Sequence, residues 1–123
     1  VVVLDDTLLR VVNVTAGIRP DGLVLINTSK PVESLELHTE VNLEVTNASG
    51  YAREAGLVVS GSVLFNTTIL GGFARATGLI SQENIEKALR NHFEGDAGER
   101  NVLGARLAFE GTNMLRECGL KCA

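Results

Sequence analysis

Short aliphatic runs closed by polar residues recur along the first half of the chain and predict β-strands. Residues 1–5 and 23–26 are nearly continuous apolar runs, which is typical of strands that are covered on both faces. Over residues 41–46, apolar and polar residues alternate instead. This period of two predicts a third strand with one buried face and one half-exposed face.

Helix signals follow each of these predicted strands. Polar capping residues, prolines suited to a first helical turn and glycines that end helices all occur at the appropriate offsets. Residues 57–64 are apolar apart from a Ser-Gly-Ser break, and they are expected to form a strand or a buried connection. The short helices predicted here begin near Leu8, run over residues 32–37 after Pro31, and run over residues 51–55 before Gly56.

Three longer helices are predicted in the second half of the chain. The first spans residues 66–77, and Gly71 and Gly72 within it each cost about 1 kcal/mol relative to alanine, which indicates close approach of another backbone. Ser81 caps the second helix, and the third runs from about residue 97 to residue 118. The predicted buried faces are Ile85, Ala88, Leu89, His92 and Phe93 in the second helix, and Leu103, Leu107, Gly111, Leu115 and Cys118 in the third.

Strands therefore alternate with helices early, and helices accumulate late. This order predicts an α/β fold with an open, mostly parallel sheet, a Rossmann-like arrangement of three layers with helices on both faces of the sheet, and a helical carboxyl-terminal layer. A length of 123 residues fits a single domain.

Composition and charge agree with this fold and exclude several functional classes. Apolar residues make up 45% of the chain and aromatic residues only 4%, with no Trp, so the core must be largely aliphatic. The net charge of −4 argues against nucleic acid as a partner. No apolar run reaches the roughly 20 residues that span a bilayer, and no signal peptide is evident. A cytoplasmic protein without a membrane partner is expected.

Cysteines and histidines give little support to a metal site or a catalytic centre. Cys118 and Cys122 are the only cysteines in the sequence, fewer than the ligands of typical zinc or iron–sulfur sites, and both are expected to be reduced. His92 falls in the last turn of its predicted helix, where a structural role is expected. His38 falls in a loop and is expected to be solvated. No catalytic residue and no metal ligand are predicted.

Three polar triplets occupy positions where ligands bind in α/β proteins. Residues 27–29 and 47–49 follow predicted strands, and residues 66–68 open a helix, so all three are expected at the carboxyl edge of the sheet. The free N–H groups at the start of that helix suit a phosphate or diphosphate. Helix and turn capping is the competing interpretation; it is favoured for residues 47–49 and left open for residues 66–68. Lys30 is the basic residue best placed to meet a phosphate, although a solvated lysine is the simpler interpretation.

Five stretches of the sequence together carry a family resemblance. Residues 1–9 read as a strand followed by a helix, and residues 14–28 read VTAGIRPDGLVLINT. Residues 65–81 contain an Asn-Thr pair, a Leu-Gly pair and an Ala-x-x-Thr-Gly motif; a helix over residues 83–93 and an Asn-containing segment over residues 99–102 follow. In this order and spacing the stretches, which cover most of the chain, resemble the γ subunit or γ domain of 2-oxoacid:ferredoxin oxidoreductases such as pyruvate synthase.

The resemblance implies an accessory part of a larger enzyme. Complexes of this family oxidatively decarboxylate a 2-oxoacid such as pyruvate on thiamine diphosphate, pass electrons through [4Fe–4S] clusters to ferredoxin, and yield an acyl-CoA. It implies that α, β and δ-type subunits or domains hold thiamine diphosphate, Mg²⁺ and the clusters, while the γ part borders the route of coenzyme A. The residues then expected to contact coenzyme A or a diphosphate are Asn66 and Thr67, followed by Asn27 and Thr28.

The sequence departs from the family pattern at one point, and two alternative functions were also considered for it. Family members begin with a strand and a Gly-x-Gly-Gly-Gln-Gly loop, which this sequence lacks, so residues 1–123 are expected to form the carboxyl-terminal two-thirds of a γ domain. A standalone Rossmann-type nucleotide-binding or regulatory module would also fit the predicted fold. An NAD-dependent dehydrogenase fragment is disfavoured, because no acidic residue follows a glycine fingerprint where ribose recognition needs one.

Overall fold

Three short parallel strands form the central sheet in the order β1-β2-β3. They are β1 (Val2–Val3), β2 (Leu23–Asn27) and β3 (Asn42–Thr46). In this computed structural model, which describes residues 1–37 and 40–112, Leu25 lies opposite Val2 on one side and Glu44 on the other. Because the three strands are parallel, their carboxyl ends lie at the same edge of the sheet.

Turns and loops cover the first face of the sheet. A 3₁₀ turn, Asp6–Arg10, follows β1, and a second, Val32–Ser34, follows β2. Leu9 and Val32 from these turns pack into an aliphatic cluster with strand residues such as Val24 and Ile26. The helices predicted from Leu8 and over residues 32–37 are thus single 3₁₀ turns, because each segment contributes only one fully buried side chain to hold it on the sheet.

In the described part of the chain, the second layer consists of the helices α1 (Ala48–Glu54), α2 (Thr68–Thr77), α3 (Gln82–His92) and α4 (Gly95–Gly111). Ile69 and Ala76 of α2 and Ala48 of α1 pack on Leu25 of the sheet. Helix α4 packs on the outer side of α2 and also contacts α1 and α3. The predicted α/β class, with a parallel sheet and a helical carboxyl-terminal layer, is confirmed. None of the helices in the described ranges is long and apolar enough to cross a bilayer.

The third strand is buried on both faces, so the prediction of a half-exposed face was wrong. Glu44 is 0% exposed and Thr46 is 3% exposed. Helix α2 contacts this strand, and its Gly72 lies directly against the Thr46 side chain. The Thr46 hydroxyl accepts a hydrogen bond of 2.9 Å from Thr112, which follows α4. Alternation of polar and apolar residues in a strand thus indicates an exposed face only where no other layer covers that face of the sheet.

The glycine pair in α2 marks a close contact between helices, as predicted. A Cβ atom on Gly71 would overlap the carbonyl oxygen of Ala105 in α4. A Cβ atom on Gly104 of α4 would likewise overlap the hydroxyl of Thr68. Glycine at these positions therefore allows the backbones of α2 and α4 to touch.

Of the two alternatives predicted for residues 57–64, the strand is confirmed: residues 58–63 form a short hairpin, and Leu57 before it is buried. Strands β4 (Val58–Val59) and β5 (Ser62–Val63) pair antiparallel. Ser60 and Gly61 both have positive φ, 49° and 80°, which is the conformation of a two-residue type I′ turn. Val58 and Val59 remain exposed.

The buried faces of α3 and α4 differ from the predicted ones. In α3, Ile85 and Leu89 are buried as predicted, whereas Ala88 and His92 are exposed. In α4, Leu103 is 42% exposed, and small residues pack against α2 instead, because the close helix contact leaves no room for leucine. Of the predicted face of α4, Leu115 and Cys118 lie outside the described residues. The buried residues of α4 are Gly98, Asn101, Val102, Gly104, Ala105 and Ala108.

Candidate functional site

An open cleft of about 300 Å³ lies at the carboxyl edge of the sheet. The ends of β1 and β2 and the start of α1 form its polar walls, and Leu4 and Phe65 supply apolar surface. Its location agrees with the general position of ligand sites in open α/β sheets. The remaining lining residues are Asp5, Asp6, Asn27, Thr28, Ser29, Asn47 and Ser49.

Asn27 connects three elements at the base of this cleft. Its Nδ2 donates to the carbonyl oxygen of Leu4 at 3.2 Å and to Oγ of Ser49 at 3.0 Å, and its Oδ1 accepts from the Ser49 backbone N–H at 3.3 Å. The residue is only 7% exposed. Because both amide protons and the carbonyl oxygen already have protein partners, Asn27 joins β1, β2 and α1 and shapes the cleft wall.

Thr28, Asp6 and Lys30 form a linked group beside Asn27. The Thr28 hydroxyl donates to Oδ2 of Asp6 and accepts from the Lys30 backbone N–H at 3.0 Å. Lys30 Nζ donates to Oδ1 of Asp6 at 2.9 Å. The Thr28 hydroxyl and the Lys30 ammonium hold the pKa of Asp6 below its usual value, so the carboxylate is ionised at neutral pH. Lys30 is thus paired within the chain, and the sequence had pointed instead to a solvated lysine or one that meets a phosphate.

Asp5 contributes the second carboxylate of the cleft. Its Oδ1 accepts from the backbone N–H and the hydroxyl of Thr7, at 2.9 and 2.7 Å, and so caps the first 3₁₀ turn. These bonds lower the pKa of Asp5. Oδ2 of Asp5 makes no hydrogen bond to any residue in the described ranges. The cleft therefore carries negative charge at neutral pH.

Asn47 has the capping role that was favoured for its triplet. Its Oδ1 accepts from the Gly50 backbone N–H at 3.0 Å at the start of α1. The side chain satisfies one of the free N–H groups that every helix start carries. Its contribution to the cleft is thus a consequence of capping.

The third triplet lies at the start of α2 and does not line the cleft. Asn66 is exposed, whereas Thr67 is half-buried and donates from its hydroxyl to Oδ1 of Asn101 at 2.5 Å. Asn101 is held in turn by a 2.8 Å bond from its Nδ2 to the Ala97 carbonyl. Among the described residues no side chain caps this helix start, so capping does not account for Asn66 and Thr67. The hydroxyl of Thr68 points into the contact with α4 and has no hydrogen-bond partner within residues 1–37 and 40–112.

The structure therefore gathers two of the three predicted triplets, at 27–29 and 47–49, around one cleft. Sequence reasoning overlooked Asp6 as a partner of Thr28 and Asn101 as the partner of Thr67. The position of Asp6 directly after a strand was the available signal for the first. The second pairing joins residues 34 positions apart in two helices, and no local pattern reveals it.

Among the other candidates for chemistry, His92 is the one within the described residues, and it does not line the cleft. His92 is exposed at the end of α3, where its ring packs edge-to-face on Phe93 at 4.7 Å. Within residues 1–37 and 40–112, no three His, Cys, Asp or Glu side chains are placed to share a metal ion. His38, Cys118 and Cys122 lie outside the described residues.

Known proteins match this chain over nearly its whole length. The model of the family described as pyruvate ferredoxin/flavodoxin oxidoreductase matches residues 1–111. The pyruvate/ketoisovalerate oxidoreductases common subunit gamma of Pyrococcus abyssi is 42% identical over 118 residues, which cover 93% of this chain and 61% of that protein. Pyruvate synthase subunit PorC of Methanothermobacter thermautotrophicus is 37% identical over 94% of this chain and 60% of its own length.

A solved structure agrees with these relatives. The crystal structure of pyruvate oxidoreductase subunit PORC from Thermotoga maritima superimposes with a TM-score of 0.78 at 28% identity, over 91% of this chain and 62% of that one. The chain thus spans about three-fifths of the length of the relatives it matches. With the family resemblance of the sequence confirmed, the chain belongs to the pyruvate ferredoxin/flavodoxin oxidoreductase family.

Proposed function

We propose that this chain is an accessory, γ-type part of a cytoplasmic complex that oxidatively decarboxylates a 2-oxoacid such as pyruvate to an acyl-CoA, with ferredoxin as the electron acceptor. Other subunits or domains, of the α, β and δ types, hold thiamine diphosphate, Mg²⁺ and the [4Fe–4S] clusters. This chain supplies a wall of the assembly and carries out no chemical step alone. In such enzymes the cofactor performs the reaction, and the protein contributes positioning and electrostatics.

The family match over residues 1–111 is the observation that carries this proposal. The names of two relatives support it, since one is a common subunit gamma and the other a subunit of pyruvate synthase. A standalone nucleotide-binding module is less favoured, because the relatives over more than nine-tenths of the chain are subunits of oxidoreductases.

The proposed contact with coenzyme A, on its diphosphate side, centres on Asn66 and Thr67. Asn66 is exposed, and the start of α2 beside it has no side-chain cap, so its N–H groups suit an anionic group. Asn101 orients the Thr67 hydroxyl through their 2.5 Å hydrogen bond. Asn27 and Thr28, whose polar atoms are bonded within the protein, contribute by holding the neighbouring sheet edge in place.

Purification of the tagged chain from its source cell tests the proposed function. We expect larger iron–sulfur and thiamine-binding polypeptides to accompany it at matching stoichiometry. The purified assembly should reduce ferredoxin with pyruvate and coenzyme A, and the same assembly depleted of this chain should lose most of that activity. Recovery of the chain alone, or turnover by the isolated chain without added cofactors, would contradict the proposal.

A further inference from the structure

The side chain of Asn101 in α4 is buried, and the orientation of its amide group is fixed. The residue is only 7% exposed, and its Nδ2 donates to the Ala97 carbonyl oxygen at 2.8 Å. Because a carbonyl oxygen can only accept a hydrogen bond, the NH₂ side of the amide must face Ala97. The other atom of the amide, Oδ1, therefore faces Thr67, and this atom can only accept.

The Thr67 hydroxyl consequently has no proton to offer to a ligand. Its Oγ1 lies 2.5 Å from Oδ1 of Asn101, and this bond uses the only proton that a hydroxyl carries. The lone pairs of Oγ1 are not used in capping α2, and they accept no hydrogen bond from any residue in the ranges 1–37 and 40–112. Thr67 thus presents a hydrogen-bond acceptor at a half-buried position.

This acceptor belongs to the turn that connects α2 with the cleft at the sheet edge. Phe65 lines the cleft, and its carbonyl oxygen accepts a hydrogen bond from the Ile69 N–H at 3.0 Å. Residues 65–69 therefore form a closed helical turn that includes Asn66 and Thr67. The turn runs from the wall of the cleft to the Thr67 hydroxyl, so one ligand can contact both.

An oxygen atom that can only accept does not suit a phosphate group. A diphosphate oxygen carries lone pairs and negative charge but no proton at neutral pH, so it repels a hydroxyl whose proton points elsewhere. A ligand group with an N–H or O–H bond satisfies the same oxygen. Because a desolvated acceptor without a partner is costly, the Thr67 position selects for a donor.

We infer that Thr67 accepts a hydrogen bond from an amide N–H or from the hydroxyl of the pantetheine arm of coenzyme A, and that Asn101 is the positioning residue that turns the Thr67 hydroxyl into an acceptor. The diphosphate contact then falls to Asn66 and the backbone N–H groups beside it. This inference rests on the proposed function, because it takes coenzyme A as the ligand. It goes further in stating which part of coenzyme A meets which residue.

Two fragments of coenzyme A, used as competitive inhibitors of the assembled complex, test this assignment. S-methylpantetheine carries the donors of the arm and no diphosphate, whereas ADP carries a diphosphate and no arm. We expect Thr67→Val to raise the KM for coenzyme A and the inhibition constant of S-methylpantetheine about tenfold, the loss of one hydrogen bond. The rise in KM should exceed any fall in kcat, and the inhibition constant of ADP should stay within about twofold.

Two further threonine variants serve as controls. Thr67→Ser retains the hydroxyl, so it should restore both constants to within about threefold of those of the unaltered complex. Thr77→Val changes a half-buried threonine at the other end of α2, whose hydroxyl donates to the Phe73 carbonyl at 2.8 Å. It should change neither constant by more than about twofold.

A double-mutant cycle tests the positioning role of Asn101. Asn101→Ala alone should raise the KM for coenzyme A and the inhibition constant of S-methylpantetheine. Added to Thr67→Val it should raise neither further, because Asn101 acts through the Thr67 hydroxyl. The double variant leaves neither partner of this bond unpaired, so it replaces the Thr67→Val chain if that chain fails to assemble, and it should show the same constants.

Three results would overturn the inference. One is a rise in the inhibition constant of ADP as large as that of S-methylpantetheine, and another is an unchanged constant for both fragments. The third is an additive effect of the two substitutions, which a purely structural Asn101 would give. A complex that retains its full activity after depletion of this chain would instead count against the proposed function.

Discussion

Asparagine serves different ends at positions 27 and 66, although both follow the same sequence pattern. The Asn27 amide is buried and makes three hydrogen bonds to Leu4 and Ser49, whereas Asn66 is exposed beside the uncapped start of α2. A pattern of residue types indicates that both sites are polar. The pattern does not show which side chain is hydrogen-bonded within the protein and which remains accessible to a ligand. That difference depends on the elements, distant in sequence, that pack around each side chain.

Alanine substitution at these two positions should therefore have opposite consequences. Asn27→Ala leaves the Ser49 N–H and the Leu4 carbonyl without partners, so we expect the free energy of unfolding to fall by about 1–3 kcal/mol, as measured by urea denaturation. Asn66→Ala should leave that free energy within about 0.5 kcal/mol and should raise the KM for coenzyme A in the assembled enzyme. Equal losses of stability in both variants would contradict this division of roles.

At the scale of elements, the position and order of the strands and longer helices follow from the sequence, and their packing faces follow only in part. The aliphatic runs at residues 1–5 and 23–26 correctly marked β1 and β2, and Gly71 correctly marked a close helix contact. The face of β3 and the buried side of α4 were predicted wrongly. The burial of β3 and the buried side of α4 both depend on the distance from each element to α2. Glycines and alanines determine this distance, and hydrophobic periodicity gives no information about it.

The contact between α2 and α4 gives a prediction at this scale. Gly71→Ala would place a methyl group on the Ala105 carbonyl, so the helices must separate, and we expect a loss of about 3 kcal/mol of unfolding free energy despite a gain of about 1 kcal/mol in helix propensity. Gly78→Ala isolates the conformational cost, since Gly78 has φ of +66° and nothing near its Cβ direction; about 1 kcal/mol is expected there. Thermal or urea unfolding measures the free energy of unfolding of both variants. A smaller loss of unfolding free energy for Gly71→Ala than for Gly78→Ala would show that the helices do not touch.

For the molecule as a whole, the fold class and the family were derived from the sequence, whereas the negative charge of the cleft was overlooked. The carboxyl edge was predicted as a ligand site because two polar triplets follow strands and a third opens a helix, and a phosphate was expected at the free N–H groups of that helix. The structure adds Asp5 and Asp6 from the end of a different strand, and these carboxylates change the ligand that the cleft favours. Electrostatic character emerges only when elements from distant parts of the chain are brought together.

Ionised carboxylates also join separate elements within each layer of the molecule. Asp6 ties the first 3₁₀ turn to the segment after β2, and Glu86 of α3 accepts two hydrogen bonds from Arg106 of α4, at 3.1 and 2.8 Å. The Asp6 and Glu86 side chains are only 14% and 15% exposed, so solvent screens these pairs less than the other surface ion pairs. The Thr28 hydroxyl lowers the pKa of Asp6 and the Arg106 guanidinium lowers that of Glu86.

This arrangement predicts how stability depends on pH. Because both carboxylates have a lower pKa in the folded chain than in the unfolded chain, their ionised forms stabilise the fold above the unfolded values of about 3.9 for Asp and 4.3 for Glu. That contribution is lost as pH falls below this range and through the lower folded pKa values. The urea midpoint should therefore decline below about pH 4.5. In a chain with Asp6→Asn and Glu86→Gln, the urea midpoint should be lower at pH 7, and it should fall less as the pH is reduced below 4.5. Glu33→Gln with Glu54→Gln removes as much charge from exposed positions, and this variant should retain the original dependence of the urea midpoint on pH. If the midpoint depends equally weakly on pH in both double variants, net charge and not these two contacts governs acid stability.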